Sequence, residues 1–243
     1  MLILLYKKGF GQPYYETKFV LPVEAGPALA AFLRRVYPSS SPYWQSKLTT
    51  TYYDDLALSS YWESRDGLLN KMKYRFRRYF NPSGVGADYG IEIKRREGPL
   101  VNKTKILLKA AGTRLSPMAD FGSLLDRLRS VPGASAAVLR THVRHCLRPT
   151  LAISCERLRF VNQRAQERYS LDQNIAGVAM PGLSGWSRRR VAFPYTIFEI
   201  KSAAAVPEAP FLRMFSLEPA SFSKYAYGIS SLLEEVDRDG RYQ

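Results

Sequence analysis

Cysteine and histidine are scarce here, at two of each in 243 residues. Cys146 and Cys155 cannot staple a disulfide-rich scaffold or supply a multi-cysteine zinc site, and they read as small packing groups. His142 and His145 exclude most histidine-based metal chemistry; three apart on an expected helix and without a third ligand, they read as surface or packing residues. Long apolar runs are absent as well, so no segment can cross a bilayer as a helix. At the start, Met1 to Phe10, a five-residue apolar run precedes Lys7 and Lys8, the reverse of a secretory leader. A soluble, cytoplasmic protein is the expectation. Acid is in short supply. Thirty-six Lys and Arg against 21 Asp and Glu give a net charge of +15, which points to a polyanionic partner: nucleic acid, polyphosphate, nucleotide or anionic lipid. With 46% apolar and 23% charged residues, the chain has enough apolar surface to fold rather than stay disordered.

No low-complexity linker divides the sequence. Strands are expected at about 15–21, 48–54, 71–80, 88–97, 101–109, 150–161, 167–173 and 195–202. Breakers punctuate them at Asn81-Pro82-Ser83-Gly84, Gly98-Pro99, Gly177 and Pro181-Gly182. Helices are expected over Val23 to Val36, where Leu29, Phe32, Leu33 and Val36 recur at helical spacing, and after Ser116-Pro117, a serine cap with proline at the first turn. Two more are expected over Ala134 to Leu147 and Ser221 to Val236, the last with Tyr225, Ile229, Leu232, Leu233 and Val236 along one side. Eight strands with interspersed helices in fewer than 250 residues suggest an α+β fold built on an antiparallel sheet or barrel.

What alternates along the strands is the informative feature, because residues two apart share a face. Lys71, Lys73, Arg75 and Arg77 oppose Met72, Tyr74 and Phe76. Glu92, Lys94 and Arg96 oppose Ile91 and Ile93. Lys103 pairs with Lys105; Arg168, Ser170 and Asp172 oppose Tyr169 and Leu171; Glu199 and Lys201 oppose Phe198 and Ile200. One such strand would be an ordinary solvated face. Five whose polar faces are dominated by Lys and Arg, with helices available to cover the apolar faces, suggest an inverted barrel with charge inside. About eight strands enclose room for side chains or a small ligand. A chamber of like charge needs neutralising. A phosphate chain would do this, since Arg offers forked donors and Lys a point charge to phosphate oxygens. Glu-x-Lys occurs at Glu16-Thr17-Lys18, Glu92-Ile93-Lys94 and Glu199-Ile200-Lys201, each placing carboxylate and ammonium about 6.5–7 Å apart on one face. These fit either a hard divalent cation with phosphates or cross-strand ion pairs that fix register.

Nine segments in order carry a family resemblance: Glu16-Thr17-Lys18-Phe19, Thr50-Thr51-Tyr52-Tyr53-Asp54, Lys73-Tyr74-Arg75-Phe76-Arg77-Arg78-Tyr79, Glu92-Ile93-Lys94-Arg95, Asn102-Lys103-Thr104-Lys105, Arg148-Pro149-Thr150 with Glu156-Arg157, Arg168-Tyr169-Ser170-Leu171-Asp172, Phe198-Glu199-Ile200-Lys201 and Phe222-Ser223-Lys224-Tyr225. On these, over about residues 14–236, the chain resembles the VTC domain, the catalytic domain of the vacuolar transporter chaperone in the triphosphate tunnel metalloenzyme superfamily. The resemblance implies one tunnel domain over 1–243: an eight-stranded antiparallel barrel with a charged interior and helices packed outside. It implies a phosphotransferase that moves the terminal phosphoryl group of ATP to a growing polyphosphate chain, with Mn²⁺ or Mg²⁺. Lys18, Arg75, Arg77, Lys94, Arg157, Arg168 and Lys224 are implied as phosphate-binding tunnel residues, Lys73, Lys103, Lys105 and Lys201 as further candidates, and Glu199 as the metal carboxylate, with Glu92 and Glu16 behind it. ATP and inorganic polyphosphate are the implied partners, and nucleic acid is not expected.

Some residues fall outside that scheme. Eukaryotic relatives carry VTC domains beside membrane-spanning ones; no such segment occurs in this sequence, so membrane-coupled translocation is not expected. Trp44, with Tyr43, is weighed as a base-stacking pair against ordinary packing, and packing is preferred. Arg188-Arg189-Arg190 is either a solvated charge run or a basic rim that steers polyanions. The alternatives to a polymerase are a tunnel triphosphatase or ATP-cyclising enzyme of the same fold, and a non-catalytic polyphosphate- or RNA-binding module. The single Glu-x-Lys at the start, instead of Glu-x-Glu-x-Lys, favours the polymerase branch. Strand aromatics placed opposite the charges disfavour RNA stacking.

Overall fold

The computed structural model describes residues 4–5, 13–38, 44–80, 87–108, 116–129, 146–183, 185–186 and 188–239. In chain order, the strands are β1 (Leu4–Leu5), β2 (Tyr14–Pro22), β3 (Gln45–Asp54), β4 (Lys71–Phe80), β5 (Ala87–Glu97), β6 (Leu100–Leu108), β7 (Arg148–Asn162), β8 (Glu167–Ala179), β9 (Arg190–Ala192) and β10 (Tyr195–Ser202). The helices are α1 (Gly26–Val36), α2 (Ser59–Arg65), α3 (Phe121–Arg129), α4 (Phe211–Met214) and α5 (Lys224–Asp239). Eight strands pair antiparallel in the order β2-β10-β8-β7-β3-β4-β5-β6, and β6 returns to β2 through Tyr14↔Val101 and Tyr15↔Leu100. The sheet is therefore a closed antiparallel barrel. β1 adds to the far end of β6, and β9 to β8.

Closure makes strand alternation decisive, because each side chain points either into the barrel or out of it. On β4, Tyr74 and Phe76 point out. They join Ile91, Ile93 and Ile106 from β5 and β6 in a cluster covered by Phe121, Leu124 and Leu125 of α3. On the opposite wall, Phe19, Leu21, Leu158, Phe160, Leu171 and Phe198 point out and are covered by Leu29, Ala30 and Leu33 of α1 and Phe211 of α4. The expected helix after Ser116-Pro117 is present but begins at Phe121. Asp120 caps it, accepting from the Ser123 N–H at 2.9 Å, while Ser116 closes only a local turn onto Met118. The helix expected over Ala134–Leu147 falls almost entirely outside the described residues.

The last helix departs from the outer-layer arrangement. Cross-strand partners share a face, and Leu151 pairs with Tyr52, which pairs with Arg75; Ile153 pairs with Thr50, which pairs with Arg77. Leu151, Ile153 and Cys155 therefore point inward with Leu48 and Tyr52. Their partners in that cluster are Tyr225, Ile229 and Leu232 of α5. α5 thus packs on the inward apolar surface of β3 and β7. The approach is close: a Cβ at Gly228 would lie 2.5 Å from a Leu151 methyl.

Asp54 fastens this helix. Its fully buried carboxylate accepts the backbone N–H groups of Ser60 and Tyr61 at the start of α2, at 2.9 and 3.0 Å, and the Tyr225 hydroxyl at 2.8 Å. α2 is too short to show periodicity, and this cap from the preceding strand is what defines it. Burial raises the Asp54 pKa above the ordinary carboxylate range, against four hydrogen bonds that lower it. Replacing Tyr225 with Phe deletes one donor to a buried carboxylate. It is expected to cost about 1–3 kcal/mol, read from the urea unfolding midpoint at unchanged m-value.

Candidate active site

The inward faces of β10, β2, β6, β5 and β4 are polar and adjacent around the barrel, and they meet Arg157 from β7 and Lys224 from α5. Together they line a narrow cavity that opens to solvent. Nine lysines and arginines line it: Lys18, Lys73, Arg75, Arg77, Lys94, Lys103, Arg157, Lys201 and Lys224. Lys105 stands just behind them. Four carboxylates lie among these cations, and each is engaged.

Glu92, fully buried, has Lys103 Nζ at 2.8 Å, Arg77 Nη1 at 3.3 Å and Lys105 Nζ at 3.8 Å, and accepts from the Tyr79 hydroxyl at 3.0 Å. Lys103 and Lys105 therefore both point inward. Arg77 is held from its other side by Thr50 Oγ1 at 3.0 Å. Glu16 pairs with Lys94, and with Lys18 at 3.4 Å. Glu199 pairs with Lys201 at 2.6 Å. Asp172 accepts two hydrogen bonds from Arg157, at 2.5 and 2.6 Å, and one from Lys224. The segment leading into α5 is tied to the chamber: Lys18 Nζ donates to the Phe222 carbonyl at 2.9 Å and Lys73 Nζ to Ser223 Oγ at 2.7 Å. Arg75 is different. Its guanidinium lies 5.2 Å from the Tyr52 ring centre, and its buried Nε has no hydrogen-bond partner.

Of the site residues expected from the sequence, all but Lys105, Glu92 and Arg168 line the cavity itself, and Lys105 and Glu92 pair immediately behind it. Arg168 has inward parity, opposite Lys201 in register, but stands exposed at the rim. Trp44 packs with the α1 cluster, with Arg34 stacked 5.5 Å from its ring centre, rather than in the chamber. His142 and His145 lie outside the described residues. Sequence reasoning placed Asp172 on the charged face but assigned it no role. It also passed over Tyr79, whose hydroxyl accepts from Lys105 at 2.9 Å while donating to Glu92.

The electrostatics follow from burying so many cations together. Two like charges 4 Å apart repel by about 4 kcal/mol at an effective dielectric of ~20, and a few such pairs rival a domain's stability of about 5–15 kcal/mol. The lysines respond. Burial, then the neighbouring cations, holds Lys73 well below the ordinary lysine range. Lys103 is likewise lowered by burial despite Glu92. Lys94 is lowered to about 7, burial outweighing the attraction of Glu16. The carboxylates are lowered as well, but by their partners: burial pushes Glu92 and Glu199 up, and the surrounding cations outweigh it and hold both well below the usual range. Glu16 falls to about 2 although Glu199 repels it. An anion entering the chamber would raise these lysine values and so increase the positive charge around it.

Glu16 and Glu199 lie on adjacent strands, two positions apart in register, and repel each other. Two buried carboxylates among so many cations are the kind of oxygen donors that a hard divalent ion takes. Among the described residues there is no group of three or more His, Cys, Asp or Glu side chains placed to hold a metal, so the donor set does not suit a structural zinc site. Among the described residues, too, no helix is long and apolar enough to cross a membrane.

The model of one family, the VTC domain, matches residues 13–233. No curated protein matches the chain. Among solved structures, a proposed adenylate cyclase from Bacillus halodurans is similar over 87% of this chain and 94% of that one, with a TM-score of 0.51 and 15% identity; it shares the fold.

A polyanion entering the chamber favours protonated Lys94, so binding takes up protons while pH exceeds the free-state value of about 7. Calorimetric titration with tripolyphosphate near pH 8, in buffers of different ionisation enthalpy, is expected to show more proton uptake for the native protein than for Lys94→Met. Comparing the two proteins cancels the ligand's own titration. Equal uptake would contradict a lowered Lys94.

Proposed function

The chain belongs to the VTC domain family, enzymes of the tunnel fold that process nucleotides and polyphosphate, and from that membership we propose that it is a polyphosphate polymerase. In the proposed reaction, a terminal oxygen of a polyphosphate chain attacks the γ-phosphorus of ATP. The bond from the γ-phosphorus to the β,γ-bridging oxygen breaks, and ADP leaves with that electron pair. The observation that carries the proposal is the closed chamber with nine inward cations, one of them an arginine whose buried Nε lacks a protein partner. Direct transfer between two phosphates asks a protein for alignment and charge stabilisation rather than for a nucleophile.

The roles divide by geometry. Arg75, with its unpartnered Nε, and Arg77, braced by Thr50 and Glu92, present forked donors at the middle of the chamber. Lys94, Lys18 and Lys73 cluster toward the wide mouth that Arg65, Lys71 and Arg96 also line. Lys201 and the rim residue Arg168 lie opposite each other on β10 and β8, a path along which a product chain can be handed outward. Lys103 and Lys105 reinforce the chamber through Glu92. Glu199 and Glu16 would hold a divalent ion. When bound, Mn²⁺ or Mg²⁺ supplies charge neutralisation and polarises the transferring group.

The apolar strand faces weigh against RNA. Tyr74 and Phe76 are buried beneath α3 and offer no stacking surface.

Purified protein incubated with ATP and Mn²⁺ is expected to yield a polyphosphate ladder on a gel. Arg75→Ala and Glu199→Ala should each lower synthesis by about 100-fold or more, in line with the loss of one preorganised charge-stabilising group, with native circular dichroism retained. Orthophosphate as the sole phosphate product would turn the reading to a tunnel triphosphatase. Intact ATP together with tight polyphosphate binding would turn it to a binding module.

A further inference from the structure

A carboxylate buried in an anion-binding chamber is a liability unless it does something that outweighs its repulsion. Glu16 and Glu199 suit an ion, and Glu92 balances three cations at once. Asp172 lies diagonally across from Glu199, two positions away in the β10–β8 register, but it is shared less widely than Glu92. It sits on β8, 2% exposed, and its two oxygens meet cations from two different elements. Nε and Nη2 of Arg157, on β7, reach Oδ1 and Oδ2 in a two-pronged bond, and Lys224, the first residue of α5, donates to Oδ2.

The consequence is orientational. With Nε and Nη2 committed to Asp172, the Nη1 edge of Arg157 is the one left to the cavity that Arg157 lines. A planar guanidinium held along one edge cannot rotate. Lys224 is tied in the same way, so the start of α5 is fastened to the barrel wall on the phosphate side, as Tyr225 is fastened to Asp54 on the other. We propose that Asp172 is a positioning residue that holds Arg157 and Lys224 in the geometry that grips a phosphate chain. The proposal rests on the polyphosphate reading of the chamber.

Two opposite signs separate this role from plain charge balance. Asp172→Asn removes a negative charge from the anion site, so electrostatics alone predicts tighter binding. Loss of the charged two-pronged bond predicts weaker binding, by about tenfold or more for a charge-assisted hydrogen bond. The measurement is calorimetric titration of tripolyphosphate into the native protein, Asp172→Asn, Arg157→Met and the double variant, with near-ultraviolet circular dichroism as the check of fold. The expected result is about tenfold weaker binding by Asp172→Asn and a clearly smaller further loss when the change is made on Arg157→Met, where only Lys224 remains for Asp172 to position.

Binding by Asp172→Asn at native strength or tighter overturns the positioning role, and so does an equal loss in both backgrounds. Should Asp172→Asn misfold, Arg157→Lys gives the answer: it keeps the charge and loses the fork, so about tenfold weaker binding supports the proposal and native binding overturns it. Failure of the native protein to bind tripolyphosphate overturns the polyphosphate reading and this role with it; the other contrary outcomes overturn the role alone.

Discussion

Everything about this molecule follows from forcing many cations into one closed space. The return of β6 to β2 completes the barrel, and alternation then directs the Lys and Arg faces of five neighbouring strands into a common chamber. An open sheet would leave those faces in water at little cost. Closure makes them mutually repulsive, and each buried carboxylate answers that repulsion. Glu92 gathers three cations, Asp172 two, Glu16 two, and Glu199 the one from its own strand. Four acids do not balance the cations around them, and burial lowers several lysines in response. A polyanion entering the chamber would complete the balance.

The same barrel must also be stable, and its interior divides the work. The inward surface of β3 and the early part of β7 is apolar, and it receives the apolar side of α5. That helix is both core and site. Tyr225, Ile229 and Leu232 pack into the barrel, while Lys224, one residue before them, reaches Asp172. A helix anchored by core packing is a firm mount for a cation at the chamber wall. The Asp54–Tyr225 bond and the close approach at Gly228 fix where that mount sits. The outer faces follow simpler logic, since α1, α3 and α4 cover the apolar residues that alternate with the charges.

The eight barrel strands and their charged faces were legible because period-two alternation is local and β4, β5 and β10 repeat it without interruption. The helix at Val23–Val36 was legible for the same reason, as a 3.6-residue pattern. α2 was not, being only seven residues long and capped by a carboxylate from the strand before it. The start of α3 was misplaced because Ser116-Pro117 carries the stronger local signal while Asp120 makes the actual cap. The cavity-lining residues were read correctly as facing one way, yet nothing local distinguishes Arg168 from Arg157. Both carry inward parity; strand stagger puts one at the exposed rim and the other in the interior.

The sequence by itself therefore determined which side chains share a face, the excess of positive charge and the polyanion it calls for, since these depend only on neighbours in the chain. Tertiary structure decided that the faces close on one another, that α5 enters the apolar half of the barrel, and which acid serves which cation. Those outcomes depend on partners brought together from distant strands: Asp54 meets Tyr225, Glu16 meets Lys94, and Asp172 meets Lys224. The register of the closed sheet and the seating of α5 against it set those distances, and no local pattern in the chain encodes either.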